Sequence, residues 1–292
     1  YDNKNIALVI NHTSVNSNGK SILELVDGKF NIKAIFTPEH GLFGDKEAGE
    51  VYTNSSLTTI PVYSLYGKNK KPTREQLSNI DVIIFDMQDI GSRYYTYIST
   101  LGYILESASE NNIEVLVLDR PNPISGKFIE GPFLEKGYES FVGRYNVPIR
   151  HGLTIGEYAK MIVGMGWEEE VNLNVVEMIG WNRDYVEIKI PPSPNIPDTK
   201  TAIVYSGTCL LEGTNLSEGR GTSSPFIIFG APWLDSEAAI SYIDSIGVDG
   251  VKLTKTVFTP KSIKGKSMYP KYKDVECNGV QIEITNKNSF SP

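Results

Sequence analysis

The sequence predicts an α/β protein in which helices flank a mostly parallel sheet, followed by a smaller α+β domain. Three observations support this prediction. Short continuous apolar runs recur through the first half, as in strands that are buried on both faces. Amphipathic segments alternate with these runs, and strand–helix–strand order implies right-handed crossovers. After a proline-rich segment, at residues 191–197, the pattern changes to one helix and a β-rich tail.

The predicted elements of the first half follow one another in a regular order. We expect strands at residues 6–10, 32–36, 61–65, 81–85, 114–118 and 172–176. Helices are predicted to begin at Ser21 and to cover residues 155–165. Between the fourth and fifth strands, apolar residues recur at three- and four-residue spacing, which predicts one more amphipathic helix: Tyr94, Tyr97, Ile98, Leu101, Ile104 and Leu105.

The proline-rich segment predicts the domain boundary. Each proline fixes φ, lacks a backbone donor and favours an extended conformation for the residue before it. We therefore predict a first domain at residues 1–198 and a second at 199–292, with a helix at 236–246 and a strand at 280–285. No predicted element follows that strand to close the domain, so we expect the natural protein to be longer. Tyr1 is not methionine, so we expect that a leader has been removed.

Composition argues against several classes of function. The 292 residues carry a formal net charge of -7 and are 40% hydrophobic, so the chain can bury one large core or two smaller ones. Nucleic-acid binding needs clustered lysine and arginine, and here the lysines are scattered. No apolar run reaches the roughly 18 residues of a membrane span. No glycine-rich phosphate loop follows the first strand, so no nucleotide cofactor is predicted.

Polar side chains collect in the loops that follow the predicted strands. Ligands of parallel α/β sheets bind beyond the carboxyl ends of the strands, so these loops should share one edge. One acidic residue after a strand is commonly a helix cap. Four loops that carry histidine, acidic, amide and arginine side chains need a further explanation, and they are residues 11–14, 37–45, 86–93 and 119–123. Asp119 and Arg120 are also candidates for an internal ion pair.

A metal site is one candidate chemistry for this edge. The three histidines, His12, His40 and His151, all lie near predicted loop starts, and Asp86 or Asp89 could join them. None of the histidines has a metal-binding partner at helical or strand spacing. We therefore predict no metal, and keep a metal-dependent hydrolase as an alternative.

Glycoside hydrolysis fits the carboxylates better. It needs one carboxylic acid to protonate the leaving oxygen and a second group that acts as nucleophile or base, or assists. Glu39 is the strongest candidate for the acid, because it follows a strand and a proline in a loop that restricts its position. The structural alternative makes Glu39 a carboxylate at the N-terminus of a helix, where the helix dipole favours it.

Residues 211–222 form a second polar segment, which combines three glycines with acidic, amide, hydroxyl and arginine side chains. Glycines allow positive φ and close approach of the backbone to a bound group. The segment therefore predicts one wall of a site for a small polyhydroxylated or anionic ligand. The alternative is a hairpin in which glutamate and arginine pair with each other.

Seven motifs, in the same order, resemble one family: residues 37–41, 86–97, 119–123, 130–132, 150–157, 192–195 and 212–222. The family is the former domain of unknown function 1343, the exo-β-N-acetylmuramidases of the NamZ type (glycoside hydrolase family 171). The resemblance covers roughly residues 5–235. From the resemblance we expect the chain to depart from the family by ending early in the C-terminal domain.

The resemblance implies a Rossmann-like catalytic domain and a smaller C-terminal domain, with the site in the cleft between them. It implies a peptidoglycan-recycling enzyme that removes N-acetylmuramic acid from the non-reducing end of wall fragments. The glutamate of the family's Pro-Glu-His-Gly motif, proposed as catalytic, corresponds to Glu39. Members are usually exported, so a periplasmic or extracellular location is expected.

The predicted site residues follow from the loops and the resemblance together. Glu39, Asp86 and Asp89 are the catalytic candidates, and Glu212 or Glu218 could also supply the second carboxylate. The substrate's own acetamido oxygen is an alternative nucleophile. The substrate-binding candidates offer donors and acceptors for a sugar, and they are His40, Gln88, Arg93, Asn122, His151, Asn195, Glu212, Asn215, Glu218 and Arg220.

Two of these predictions concern specificity. N-acetylmuramic acid has a lactyl carboxylate, which the planar fork of Arg93 or Arg220 could bind with two hydrogen bonds. Gln88, Asn122 and Asn215 could read hydroxyls or the acetamido group. The rival functions are a non-catalytic protein that binds amino sugars, and a metal-dependent hydrolase that uses His12, His40 and Asp86.

Overall fold

The computed structural model describes residues 1–43, 51–53 and 59–292. The chain divides into two compact units, Tyr1–Val186 and Glu187–Pro292. This boundary precedes the proline-rich segment, whereas the boundary predicted from the sequence, after residue 198, follows it. The predicted domain limits stay a prediction.

A seven-stranded sheet forms the centre of the first unit. Its strands, in chain order, are β1 (Asn5–Ile10), β2 (Asn31–Thr37), β3 (Val51–Thr53), β4 (Thr59–Ser64), β5 (Val82–Asp86), β6 (Glu114–Leu118) and β7 (Leu173–Val176). The spatial order is β3-β4-β2-β1-β5-β6-β7, and every neighbouring pair is parallel except β3 with β4. The predicted parallel sheet is confirmed, with one additional antiparallel edge strand that the sequence pattern did not indicate.

Three helices of the first unit connect these strands: α1 (Ile22–Val26), α2 (Tyr97–Asn111) and α3 (Ile155–Gly164). Capping boxes fix the starts of α1 and α3, through Ser21 with Glu24 and through Thr154 with Glu157. The prediction that Tyr94 lies on the apolar stripe of α2 is wrong. The helix begins three residues later, at Tyr97, and Ser92 and Arg93 before it pair with the backbone of Arg150 and Ile149.

The core of the first unit surrounds the central strands. Residues 6–9 of β1 are completely buried, as are Ile83 and Phe85 of β5. Helices α2 and α3 pack against β6, and α3 also contacts β7. Burying one large apolar side chain contributes roughly 1.5–3 kcal/mol, so this layer holds the carboxyl edge of the sheet in place. The continuous apolar runs of the sequence therefore correspond to strands covered on both faces.

The second unit contains two helices and a small sheet. Its elements are α4 (Thr199–Thr208), a 3₁₀ helix (Cys209–Gly213), β8 (Ile228–Ala231), α5 (Ser236–Ile246), β9 (Val251–Phe258) and β10 (Cys277–Ile284). The sheet is antiparallel with the order β8-β10-β9, and α5 contacts β9 and β10. The predicted helix at 236–246 and the predicted C-terminal strand are both present. None of the helices among the described residues has the length and apolar character that crossing a bilayer requires.

Candidate active site

Hydrogen bonds join three of the predicted strand-end loops at the carboxyl edge of the sheet. Ser14, after β1, donates its hydroxyl to the backbone oxygen of Asp86, the last residue of β5. Gln88 donates its backbone N–H to the Thr13 hydroxyl at 3.0 Å and its side-chain amide to the Pro121 oxygen, after β6, at 2.8 Å. The loops after β1, β5 and β6 therefore form one polar surface, as predicted from the sequence.

Tyr97, the first residue of α2, has a buried hydroxyl that contacts the loop after β1. The side-chain amide of Asn11 donates to that hydroxyl at 2.8 Å. Burial raises the pKa of Tyr97, and the negative charges of Glu39 and Asp89 raise it further. Both carboxylates therefore act electrostatically on the same buried hydroxyl, which relates the loop after β2 to the loop after β5.

Glu39 lies in a turn that follows β2. Its side chain is 36% exposed, and its carboxylate is 4.0 Å from Nε2 of His40, which is 30% exposed. His40 and Gly41 both have a φ of 71°, so the turn holds a non-glycine residue in the left-handed region. Such strain persists only where the surroundings enforce it, and it is concentrated at functional sites. The turn presents Glu39 to solvent, where a dissolved ligand can reach it.

Asp89 and His151 form a buried pair. Their side chains are 6% and 1% exposed, and His151 Nε2 is 3.6 Å from Asp89 Oδ2. His151 Nδ1 accepts the N–H of Leu153 at 3.2 Å, so in the neutral imidazole the proton resides on Nε2, on the side of Asp89. Asp89 Oδ2 also accepts the N–H of Gly91 at 2.7 Å. Within the described part of the chain, the second oxygen, Oδ1, is buried without a hydrogen-bond partner.

Asp86 forms a different kind of contact, an ion pair with Arg120. Arg120 Nε donates to Asp86 Oδ1 at 2.5 Å, and the Asp86 side chain is only 5% exposed. Burial raises the pKa of Asp86, although Arg120 acts in the opposite direction. The expectation of an Asp119–Arg120 ion pair is wrong: Asp119 accepts the backbone N–H of Arg120, and its carboxylate binds the start of α3 at Thr154 and Gly156.

Gln88 and Asn122 are both engaged with the protein backbone. Asn122 donates to the Leu153 oxygen at 3.0 Å and accepts from the Ile124 N–H at 3.1 Å. Gly91 has a φ of +79°, and a Cβ atom at this position would lie 2.3 Å from the Asn122 oxygen. The glycine therefore allows the loop after β5 to pass directly over the amide of Asn122.

Arg93 is buried and donates hydrogen bonds to the backbone of neighbouring loops. Its terminal nitrogen donates to the carbonyl oxygens of Pro132 at 2.8 Å and Val147 at 2.5 Å. The side chain also lies against the Tyr94 ring, with 5.4 Å between the guanidinium carbon and the ring centroid. These two carbonyls thus occupy part of the guanidinium group that the sequence predicts to bind a lactyl carboxylate. Its role in substrate binding stays a prediction.

The described residues do not form the metal site that the metal-dependent hydrolase hypothesis requires. Among them, no group of three or more histidine, cysteine or acidic side chains is close enough to hold an ion. Arg120 already pairs with Asp86, so this proposed metal ligand faces a cation of the protein itself. Residues 44–45 of the predicted loop after β2 lie outside the described residues.

Four predicted substrate-binding residues of the second unit lie in its polar segment, and three of them form an ion-pair cluster. Arg220 NH2 binds Glu212 Oε1 at 2.5 Å, and its Nε is 3.7 Å from Glu218 Oε1. The glutamate–arginine pair that the sequence left open as an alternative is present. Its surroundings differ from the expected hairpin, because Glu212 lies in the 3₁₀ helix that follows α4. The side chain of Asn215 is exposed. Asn195 is buried and donates to the Lys266 oxygen at 2.9 Å.

Several residues that contact the predicted site residues or lie beside them were not predicted from the sequence. Thr13 lay in a recognised loop, but nothing in its spacing indicated that its hydroxyl would accept from the loop after β5. Tyr97 was assigned mainly to an apolar stripe, and its hydroxyl had no signal of its own. Arg150 is 2% exposed and binds Glu130 at 2.5 Å, and both belong to recognised motifs. Their place in these motifs was the sequence feature that could have indicated the pair.

Two family models match almost the whole chain. The model of exo-β-N-acetylmuramidase NamZ, N-terminal, matches residues 6–200, and the C-terminal model matches residues 203–292. The peptidoglycan β-N-acetylmuramidase NamZ of Bacillus subtilis (strain 168) is 43% identical in an alignment 296 residues long, which covers 98% of this chain and 70% of that protein.

Solved structures agree with these matches. A DUF1343 family protein from Bacteroides fragilis NCTC 9343 superposes with a TM-score of 0.89 at 38% identity, covering 99% of this chain and 75% of that one. A second DUF1343 family protein from the same organism has a TM-score of 0.79 at 35% identity, covering 96% and 71%. Sequence and fold therefore point to the same group of proteins.

Proposed function

This chain belongs to the exo-β-N-acetylmuramidase NamZ family, and from that premise we propose that Glu39 is the general acid/base of its glycosidase reaction. The protein is an exo-β-N-acetylmuramidase that acts on peptidoglycan. We propose that it removes N-acetylmuramic acid from the non-reducing end of wall fragments. The observation that supports the site is the turn after β2, which holds Glu39 one-third exposed and 4.0 Å from Nε2 of His40, with His40 in the left-handed region.

The exposure of Glu39 suits the acid/base role. A general acid must reach the leaving oxygen of a bound sugar, and Glu39 is one-third exposed in a strained turn. His40, a side chain that becomes a cation when protonated, has its Nε2 atom 4.0 Å from the Glu39 carboxylate. When the leaving group departs, Glu39 has transferred its proton to the glycosidic oxygen, and the resulting carboxylate can then take a proton from water.

Asp89 suits a supporting role. It is buried, its Oδ2 accepts the Gly91 N–H and lies 3.6 Å from His151 Nε2, and its Oδ1 has no hydrogen-bond partner among the described residues. An anionic oxygen in this state attracts a donor, such as the acetamido N–H of the substrate. We propose that Asp89 orients that group, so that the acetamido oxygen or a water attacks the anomeric carbon. Asp86, which is paired with Arg120, is proposed to brace the loops.

Binding of the lactyl carboxylate is proposed for the second unit. Arg220 is 36% exposed and lies beside two glutamates, Glu212 and Glu218, which hold its guanidinium in place. Its planar fork suits a carboxylate, which would share or replace the contact with Glu212. The exposed side-chain amide of Asn215 is proposed to form a hydrogen bond with a sugar hydroxyl. Arg93, whose fork already serves two carbonyls, is proposed to brace the first unit.

The acid/base role of Glu39 is tested by comparing leaving groups. We expect Glu39→Gln to lower kcat/KM on a muramyl disaccharide by roughly 10²–10⁴-fold, because the sugar leaving group needs a proton. The loss on a 2,4-dinitrophenyl muramide should be much smaller, because this phenolate leaves without protonation. Glu75→Gln is the matched control, since it makes the same chemical change on an exposed side chain of the same unit.

Equal losses on both substrates would remove Glu39 from the acid role. The same assay on Asp89→Asn distinguishes the second carboxylate, for which we expect a loss on both substrates. Proton NMR of the first-formed product gives its anomer and so separates retention from inversion. Sugar binding without any product, on the activated substrate, would support the non-catalytic alternative.

The biological setting is a further part of the proposal. Free N-acetylmuramic acid is a product that a cell can reuse, so we propose that the enzyme serves recycling of the cell wall. We also propose an exported, periplasmic or extracellular location, because peptidoglycan lies outside the cytoplasmic membrane. Fractionation of the native host, with an antibody against this protein, tests the location.

A further inference from the structure

The ammonium group of Lys271 is enclosed by backbone carbonyls of the polar segment. Its Nζ atom donates to the oxygens of Leu211 at 3.0 Å, Glu212 at 2.9 Å, Thr214 at 2.8 Å and Leu216 at 3.0 Å. These bonds span 55 to 60 residues of sequence. We call residues 211–216 the carbonyl loop. The loop is folded so that four of its oxygens point at one cation.

The next residue, Tyr272, binds a fifth carbonyl. Its hydroxyl donates to the Asn215 oxygen at 2.6 Å and accepts from Trp233 Nε1 at 3.2 Å. Tyr272 has a φ of 55°, so its hydroxyl is presented by a residue in the left-handed region, which a tyrosine rarely adopts. Two consecutive side chains thus bind the backbone of the carbonyl loop almost along its whole length.

Four carbonyl oxygens that face one another repel, and a cation at their centre offsets the repulsion. An ammonium has three N–H donors, so with four acceptors at least one bond is shared and the arrangement resembles ion coordination. Leu211 also accepts the N–H and the hydroxyl of Thr214, at 3.0 and 2.8 Å, but an uncharged side chain at position 271 would leave the oxygens of Glu212, Thr214 and Leu216 to water, which would not hold them in one geometry. The fold of the carbonyl loop therefore depends on the charge of Lys271, as well as on its length.

The carbonyl loop bears directly on the ion-pair cluster that follows it. Glu212 lies within the loop and binds Arg220. Glu218, two residues beyond the loop, is 6% exposed and has its Oε2 atom 3.7 Å from Lys271 Nζ. One ammonium thus orders the backbone from which Glu212 extends and also faces the carboxylate on the other side of Arg220. No other contact in this cluster does both among the described residues.

We propose that Lys271 is a positioning residue for substrate recognition: its ammonium folds the carbonyl loop and thereby sets Arg220 and Asn215 in their binding geometry. The proposal rests on the proposed function in one respect, namely that this loop contacts the substrate. Lys271 itself contacts the loop backbone, so its effect on the reaction is indirect. Binding should depend on it more than the chemical step.

Chemical rescue tests the charge separately from the fold. In Lys271→Ala the alanine keeps Cβ, and n-propylammonium supplies the three missing carbons and the ammonium. The lysine side chain is 34% exposed, so an added amine has a route from solvent. Tetramethylammonium, which has the charge but no N–H donor, is the matched reagent control. Lys261→Ala is the matched variant control, because Lys261 is 61% exposed and pairs only with Asp274 among the described residues.

Two readouts are followed together. We expect Lys271→Ala to raise KM for an aryl muramide roughly tenfold to a hundredfold, the range that misplaced binding groups produce, with a much smaller change in kcat. Hydrogen exchange of the peptide that contains residues 211–220 should accelerate, while exchange of the parallel sheet in the first unit stays the same. Propylammonium should reverse both changes, and tetramethylammonium neither. Lys261→Ala should leave both readouts at the wild-type level.

The outcomes separate the inference from the proposed function. Faster exchange that propylammonium reverses, with an unchanged KM, supports Lys271 as the organiser of the loop and removes the loop from substrate binding. Unchanged exchange in Lys271→Ala overturns the inference. If Lys271→Ala does not fold, Lys271→Met keeps the apolar stem without the charge, and wild-type exchange and KM in that variant overturn the inference as well.

Discussion

Replacing Arg120 by methionine removes the cation that faces the buried carboxylate of Asp86. The Asp86 side chain is 5% exposed and that of Arg120 is 19% exposed, so the pair is largely shielded from water. Breaking a buried ion pair by removing one partner costs about 3–5 kcal/mol, because the remaining charge stays desolvated. Since water reaches part of Arg120, we expect the lower end, about 3 kcal/mol, or about a hundredfold change in the folded-to-unfolded ratio.

The loss of stability in Arg120→Met should depend on pH, and its direction follows from the pKa of Asp86. Burial holds the folded-state pKa of Asp86 above its ordinary value of 3.8, and removing Arg120 takes away the hydrogen bond and charge that oppose this. Between the unfolded and folded pKa values the native state binds more protons, so the free energy of unfolding falls as pH rises through that window. The window is wider in the variant. The difference between wild type and Arg120→Met should therefore be smallest near pH 4, where the lost hydrogen bond from Arg120 to the Val15 oxygen remains, and largest above the folded pKa of the variant.

Urea unfolding, followed by far-ultraviolet circular dichroism at a series of pH values, measures this difference. The double variant, Asp86→Asn with Arg120→Met, is the internal control, because it removes both charges and should recover much of the stability that the single variant loses at neutral pH. A loss that is the same near pH 4 and near pH 8 would refute the assignment to an unpaired carboxylate. A double variant as unstable as the single one would refute it as well.

Two further predictions concern the polar surface of the first unit. Gly91→Ala should lower the free energy of unfolding by more than about 1 kcal/mol, because its φ is +79° and the new Cβ would meet the Asn122 amide at 2.3 Å. Urea unfolding checks it, and a stability equal to wild type would contradict the close approach. Tyr97→Phe removes the acceptor of the Asn11 amide and should cost about 1–3 kcal/mol. If the stability stays unchanged, the Asn11 amide has another partner in the variant.

The main elements could be predicted because their signals are local. The strand at 114–118 and the helix at 236–246 have the predicted bounds, since apolar periodicity and caps act over a few residues. The antiparallel strand β3 was not predicted, because three residues carry no periodicity and its place depends on pairing with β4. Helix α2 begins later than its apolar stripe, and the residues before it, Ser92 and Arg93, pair with Arg150 and Ile149, which are distant in the sequence.

The sequence by itself determined the parallel sheet, the shared edge of its strand-end loops and the family, because these follow from local patterns and from motifs in order. Tertiary structure alone decided the partners of the charged side chains. Asp86 pairs with Arg120, 34 residues away, although Asp119 is adjacent to that arginine in sequence. Lys271 binds a loop more than 50 residues earlier. Ion pairs and carbonyl contacts depend on distances in space, which packing of the whole unit sets, and neighbouring residues in the sequence carry no record of them.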